Sequence, residues 1–416
     1  MKRFFSSKTA ESALRCDAET EPFTACSCGI MHFSSGLGRR GFLGGLAAAG
    51  ISGTAHANSV VPVEKAELKV GFVPISCAAP LIMAVAKGFF QEEGLNVHLQ
   101  KIAGWALVRD RLLNGELDAS QLLAPMPISL SLGLGSAAQP VRAITMQNIN
   151  GQAITLALKH HNRRDPRDWK GMTFAIPFEY SMHNLLLRDY LAHYGLDPDH
   201  DVTLRITSPP DMVANLRAGN IDGFLGPDPF NQRAVYEQIG FIQTLTAQIW
   251  DGHPCCAFGM TQPFIDAYPN TYSALQRAMI RAAAWMNAPE NRLEAARIMA
   301  QPAYLNQPEI VIRQSLTGHY ADGLGVVQDN PHRAGYSPYP YYSMAMWIES
   351  QLRRWGYLQR PTDALKLARE IYLFDDVVQQ ARVVGPLSGL QDPVAGGFPE
   401  FSVLGQTFPR AGGQAL

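Results

Sequence analysis

The sequence predicts an α/β protein built as two lobes and closed by a helical segment. Three observations carry this. β-rich stretches alternate with helical ones from about residue 68; the alternation breaks at the polar stretch 160–171 and then resumes; from Gln262 onward helical periodicity dominates. Such alternation favours mostly parallel sheets covered on both faces. With 416 residues, 47% hydrophobic and 17% charged, the chain is long enough for a sizeable core and has a globular composition.

The elements follow in order. "LKVGFVP" at 68–74 is a β-rich strand, and "CAAPLIMAVAKGFFQEEG" at 77–94 is a helix stopped near Gly94. "LNVHLQKI" at 95–102 alternates apolar and polar residues, so it is a second strand, and "WALVRDRLLNGELDA" is a helix stopped by Gly115. "ASQLLAP" and "VRAITMQ" are further strands with an apolar helix between them. After the Arg- and Asp-rich "HHNRRDPRDWKG", taken as a connection between lobes, "MTFAIP" is a strand and "SMHNLLLRDYLAHYG" a helix. "DVTLRIT" is a strand, Pro210-Asp211 opens a helix that Gly219 closes, "IDGFLG" is a strand and "DPFNQRAVYEQIG" a helix. "TYSALQRAMIRAAAWMNAPENRLEAARIMA" and "YYSMAMWIESQLRRWGYL" are amphipathic helices. The expected organisation is a leader at 1–57, the first part of lobe 1 at 66–157, lobe 2 at 158–261, a helical return to lobe 1 at 262–385 and an irregular Gly- and Pro-rich tail at 386–416.

"GRRGFLGGLAAAGISGTAHA" at 38–57 has the parts of an export signal: Arg39-Arg40, a short soft apolar run, and a small-x-small exit ending at Ala57. The paired arginines point to the twin-arginine route and a periplasmic location. The leader holds six basic and four acidic residues; of 35 and 36 in the whole chain, 29 basic and 32 acidic remain beyond it. No basic surplus argues for nucleic acid. Cys16, Cys26 and Cys28 lie in the leader, where "CSC" with His32 lacks the ligand count of a tetrahedral site. Cys77, Cys255 and Cys256 remain; an odd number is no disulfide framework, a bridge between neighbours would be strained, and one from Cys77 to either is open. No metal site and no cofactor are expected.

No GxSxG elbow, P-loop or HExxH is present. The chain therefore reads as a binder, not an enzyme. Polar groups stand where strands end and helices begin: Ser76 and Cys77, Gly104-Trp105, Gln152, Tyr180 to His183, and 226–232. Taken singly, a tryptophan reads as packing, a glutamine as a cap and a histidine as a satisfied helix residue. Their joint placement at sheet mouths points to a small ligand, and exposed N–H groups there suit an anion.

"KVGFVPISCAAPLIMAVAKGFFQEEGLNV", "KIAGWALVRDRLLNGELDASQLLAPMP", "NGQAITLALKH", "SMHNLLLRDYL" and "PPDMVANLRAGNIDGFLGPDPFNQRAV" resemble the nitrate/bicarbonate-binding proteins of ABC importers, over about 65–330. The resemblance implies a type II periplasmic binding-protein fold, with two α/β lobes around a cleft and a third segment returning to the first lobe. It implies an oxyanion held by tryptophan, glutamine and histidine, carried over to Trp105 with Gly104, Gln152 and His183. It places the remaining site positions at Asp228 and in "WDGHPCCAFGM" at 250–260, which offers His253 but no lysine as the cationic partner of nitrate binders; Cys77 joins them from its place after the first strand. The implied partners are a small inorganic anion, nitrate first and nitrite or bicarbonate next, and an inner-membrane ABC permease. The alternatives are a nitrate/nitrite-responsive sensor that releases a regulatory partner, and a binder of sulfonates or thiamine precursors; "YSPYPYYSMAMW" at 336–347 would form an aromatic wall for the latter, but reads first as interlobe packing or a partner contact.

Overall fold

The computed structural model describes residues 62–409; the expected signal residues Arg39, Arg40 and Ala57 lie outside them. Four strands, β1 (Glu67–Phe72), β2 (Asn96–Lys101), β3 (Ala119–Leu123) and β4 (Val141–Asn150), are joined through α1 (Ala79–Ala86), α2 (Phe89–Glu92), α3 (Trp105–Leu113) and α4 (Met126–Leu132). β1 is buried along its second half and runs parallel to β2 and β3, as crossover helices require.

The chain then passes into a second sheet at Asn150-Gly151, both with positive φ (59° and 78°), a conformation that asparagine and glycine adopt at low cost. The second sheet contains β5 (Gln152–Ala157), β6 (Thr173–Ile176), β7 (Thr203–Ile206), β8 (Gly223–Pro227) and β9 (Gly240–Leu245), with α5 (Met182–His193), α6 (Pro209–Ala218) and α7 (Phe230–Tyr236). The chain re-enters the first sheet as β10 (Pro254–Thr261), between β3 and β4 and antiparallel to both. β5 likewise lies between β8 and β9, antiparallel to both.

Two expectations change here. Each sheet is mixed, because a strand arriving from the other lobe enters against the local direction. The lobe boundaries move: β5 belongs to the second sheet and β10 to the first, so the crossings are at Gly151 and between Leu245 and Pro254. Both strands are wholly or almost wholly buried, so their pattern suits either sheet; the Asn150-Gly151 and Asp251-Gly252 turns before them mark a break without telling which sheet follows. The polar 160–171 stretch is a connection within the second lobe, anchored by buried Trp169, whose indole donates to the Arg163 carbonyl at 3.0 Å.

The return segment contains α8 (Gln262–Ala267), α9 (Pro269–Asn287), α10 (Arg292–Met299), α11 (Glu309–Thr317), a hairpin of β11 (His319–Ala321) and β12 (Val327–Asp329), β13 (Ala334–Gly335), α12 (Tyr342–Arg354), α13 (Ala364–Ile371) and α14 (Phe374–Val384). α9 buries Ala274, Ala278 and Ala282 four residues apart, a small-residue face that brings it close to α1. β13 extends the first sheet beside β4. The tail is more ordered than its composition suggests. β14 (Phe401–Val403) and β15 (Gln406–Phe408) form a hairpin that buries Val403 and Phe408, and the Leu404 amide donates to the Ile249 carbonyl at 2.8 Å. The tyrosines at 336–347 are packing: Tyr336, Tyr339 and Tyr342 are buried, and Trp347 meets Trp250 edge-on at 4.9 Å.

Candidate functional site

Parallel β1, β2 and β3 end on one edge of the first sheet, and antiparallel β10 begins there. β6 and β8 end, and β5 begins, on one edge of the second. These edges meet at Ser76, whose amide donates to the Asp228 carbonyl at 2.7 Å across the two lobes. The site is built on residues carried by these edges.

Ser76 and Cys77 lie in the single turn after β1 and are buried. Trp105 opens α3 after β2 and is 2% exposed. Gly104 before it is extended (φ −173°), so the backbone does not demand glycine; an added Cβ would meet nothing within 4 Å. Gln152 begins β5, and its carbonyl accepts from the Thr246 hydroxyl at 3.0 Å. His183 sits in the first turn of α5, whose N-cap Ser181 accepts from the Asn184 amide at 3.0 Å.

The Ser76 hydroxyl, the Trp105 indole nitrogen, both ends of the Gln152 amide and both ring nitrogens of His183 are buried without a hydrogen-bond partner. Buried polar groups are nearly always paired, and each orphan costs about 1–3 kcal/mol. Other unpartnered atoms occur in the core, at Trp250, Trp347 and Tyr336 among them. The four side chains here differ in standing on the two facing edges. Burial pushes the His183 imidazole down to about 4, so it is neutral near pH 7 and offers one donor and one acceptor.

Two expected ligand residues are committed elsewhere. The Asp228 carboxylate receives Nε and Nη2 of Arg333, both at 2.8 Å, and Nδ2 of Asn231 at 3.3 Å. Arg333 gives Nη1 to Gln232 at 2.8 Å and lies over the Tyr320 ring at 4.3 Å. The pair is fully buried and latches the return segment to the second lobe. Sequence reasoning missed Arg333 because its partner is 105 positions away. His253 has Nε2 at 2.8 Å from the Thr246 hydroxyl and Nδ1 at 3.2 Å from the Pro254 carbonyl. Thr246 holds the Gln152 carbonyl, so His253 positions Gln152 indirectly. Burial also lowers the His253 imidazole, leaving it neutral. The Ser76 amide, expected to face the ligand, is committed to Asp228.

Where a cation was sought, the site carries sulfur. Cys255 lies beside His183 and Gln152, and its Sγ is 3.2 Å from that of Cys77 and 3.8 Å from that of Cys256. The spacing of the three cysteines in the sequence gave no sign of this grouping, which the insertion of β10 beside β3 creates.

The model of the NMT1-like family matches residues 62–300. The chain belongs to this family. It is 32% identical over 347 residues to the nitrate/nitrite binding protein NrtA of Nostoc, covering 78% of each protein. It is 34% identical over 331 residues to the nitrate import ATP-binding protein NrtC of Synechocystis; there the match covers 74% of this chain and 49% of the relative, so the chain spans about half of that protein's length. The crystal structure of the periplasmic nitrate-binding protein NrtA from Synechocystis superposes with a TM-score of 0.77 at 26% identity, covering 83% of this chain and 96% of that one. The bilobal periplasmic binding-protein fold expected from the sequence is thus present, and it is the fold of that nitrate-binding protein.

Proposed function

We propose that the protein is the extracytoplasmic substrate-binding component of an ABC importer for a small oxyanion, nitrate in the first place. The observation that carries this reading is the set of buried, unpartnered polar groups on Ser76, Trp105, Gln152 and His183. Nitrate is planar, singly charged and weakly hydrated, so fixed neutral donors can replace its water. A hydrogen bond to a charged group contributes about 1.5–3 kcal/mol. Trp105 and Ser76 donate from the first lobe, Gln152 and His183 from the second. Only the shut form brings both sets to bear, and shutting excludes water. That form would then dock on a membrane permease served by an ATPase. Among the described residues no helix is long and apolar enough to cross a membrane. Export by the twin-arginine route, through Arg39-Arg40 with an exit at Ala57, belongs to the same proposal.

Calorimetry with nitrate, nitrite and bicarbonate tests the ligand; no binding of any of the three refutes the reading. Trp105→Phe removes the indole donor and keeps the ring, so nitrate affinity should fall about tenfold or more. Unchanged affinity takes Trp105 out of the site.

A further inference from the structure

We propose that Cys77, Cys255 and Cys256 form a three-sulfur site for a soft monovalent d10 cation of the copper(I) class. The three Sγ atoms lie within 4.8 Å of one another and all three residues are buried. Metal–thiolate bonds of about 2.3 Å place the sulfurs of a trigonal site about 4 Å apart. The measured separations of 3.2 and 3.8 Å reach that arrangement with side-chain shifts of less than an ångström.

The backbone is built for this convergence. Neighbouring residues of a regular strand face opposite ways, so Cys255 and Cys256 should not share a side. The register between β10 and β4 shifts on both sides of Cys256, between Pro254 and Cys256 and again before Ala257. These irregularities re-aim the two thiols toward one point, as bulges beside functional sites do. Cys77 reaches that point from the turn after β1. Gln121 supports the group from outside: its Nε2 donates to Cys256 Sγ at 3.5 Å while its Oε1 accepts from the Val73 amide at 3.0 Å.

The donor set chooses the ion. Thiolates are soft ligands and select copper(I), zinc and iron–sulfur chemistry. A zinc site wants a fourth ligand; among the described residues no histidine or carboxylate atom joins the three sulfurs within 4.8 Å, and His183, though beside Cys255, lies outside that group. Three sulfurs alone satisfy a trigonal d10 ion. Loading displaces thiol protons to solvent and changes no oxidation state. The sulfur geometry stands without the anion reading, but Cys255 lies beside His183 and Gln152, so a bound cation would border the anion site.

The test uses the full chain, with Cys16, Cys26 and Cys28 replaced by serine to remove the leader thiols. It is reduced, handled without oxygen and titrated with copper(I) against the competing chelator bicinchoninate. The expected result is one copper per chain, with X-ray absorption showing three sulfurs near 2.3 Å. Cys77→Ser and Cys255→Ser should each lower the affinity on the order of 100-fold. The absorption measurement on the protein retaining all three cysteines decides the matter even if those variants fold poorly. Failure to retain one equivalent, a nitrogen or oxygen shell around the metal, or retention unchanged in both variants overturns the proposal. So does a Cys77–Cys255 disulfide that persists in the reduced protein.

Discussion

His183 shows how one buried side chain couples stability to pH. Its imidazole is held at about 4 by burial, against an ordinary 6.5. The unfolded chain therefore takes up this proton first as pH falls. The stability that the neutral ring leaves intact is fully present above about pH 6.5 and is lost as pH falls toward about 4, a loss of roughly 3 kcal/mol for this drop in pKa. Urea unfolding at pH 7 and pH 4.5 should show His183→Gln losing less stability than the parent, and an equal loss would remove His183 as the source. An anion against the ring favours its protonated form, so nitrate affinity should rise over the same fall in pH and the pH sensitivity of the nitrate-bound protein should shrink. Affinity that is flat between pH 7 and pH 4.5 would mean that the ring does not touch the anion. Trp105, Gln152 and His183 each stand within a short local motif, which is why the sequence singles them out. The bonds that Asp228 and His253 make are not legible for the opposite reason: Arg333 and Thr246 are brought in by tertiary packing, and no local pattern announces such a partner.

At the scale of elements, strands and helices were legible almost throughout, because burial on one face imposes periodicities of two and 3.6. The sheet membership of β5 and β10 was not. A strand buried on both faces reads alike in either sheet, and only pairing tells which. The tail hairpin was hidden for a related reason: Val403 and Phe408 are too few to give a periodic signal, yet both are buried. Arg333, in the short turn before β13, decides how the return segment meets the second lobe. Its pair with Asp228 is dry, so its value lies less in attraction than in the cost of leaving one charge alone. Arg333→Met should destabilise the fold by about 3–5 kcal/mol in urea unfolding, and adding Asp228→Leu should recover most of that. A double variant no more stable than the single one would show that Gln232 and Tyr320, not charge pairing, make Arg333 matter.

Across the whole molecule the return segment holds both lobes, which restricts how the cleft can open. It is fixed to the first lobe through the Leu373 amide on the Ala143 carbonyl at 3.1 Å and Gln276 Nε2 on the Ile144 carbonyl at 2.9 Å. It is fixed to the second lobe by the Arg333–Asp228 latch, by Gln232 Nε2 on Gln314 at 2.6 Å, by Asn184 Nδ2 on the Tyr357 hydroxyl at 2.8 Å and by Arg354 on Asp189 at 2.6 Å. Separating the lobes breaks the Ser76–Asp228 bond and must also strain or break members of this second set. The half-buried Arg354–Asp189 pair is a weaker restraint than the fully buried latch. Opening should therefore be a small excursion about Asn150-Gly151 and the stretch before Pro254, not a wide swing. Small-angle scattering of the full chain should give nearly the same radius of gyration with and without saturating nitrate. The Arg333→Met, Asp228→Leu double variant, freed of the latch, should be larger without nitrate, contract on adding it, and release nitrate faster in stopped-flow tryptophan fluorescence. If the parent protein contracts as much as the double variant does, the return segment is not what limits the motion.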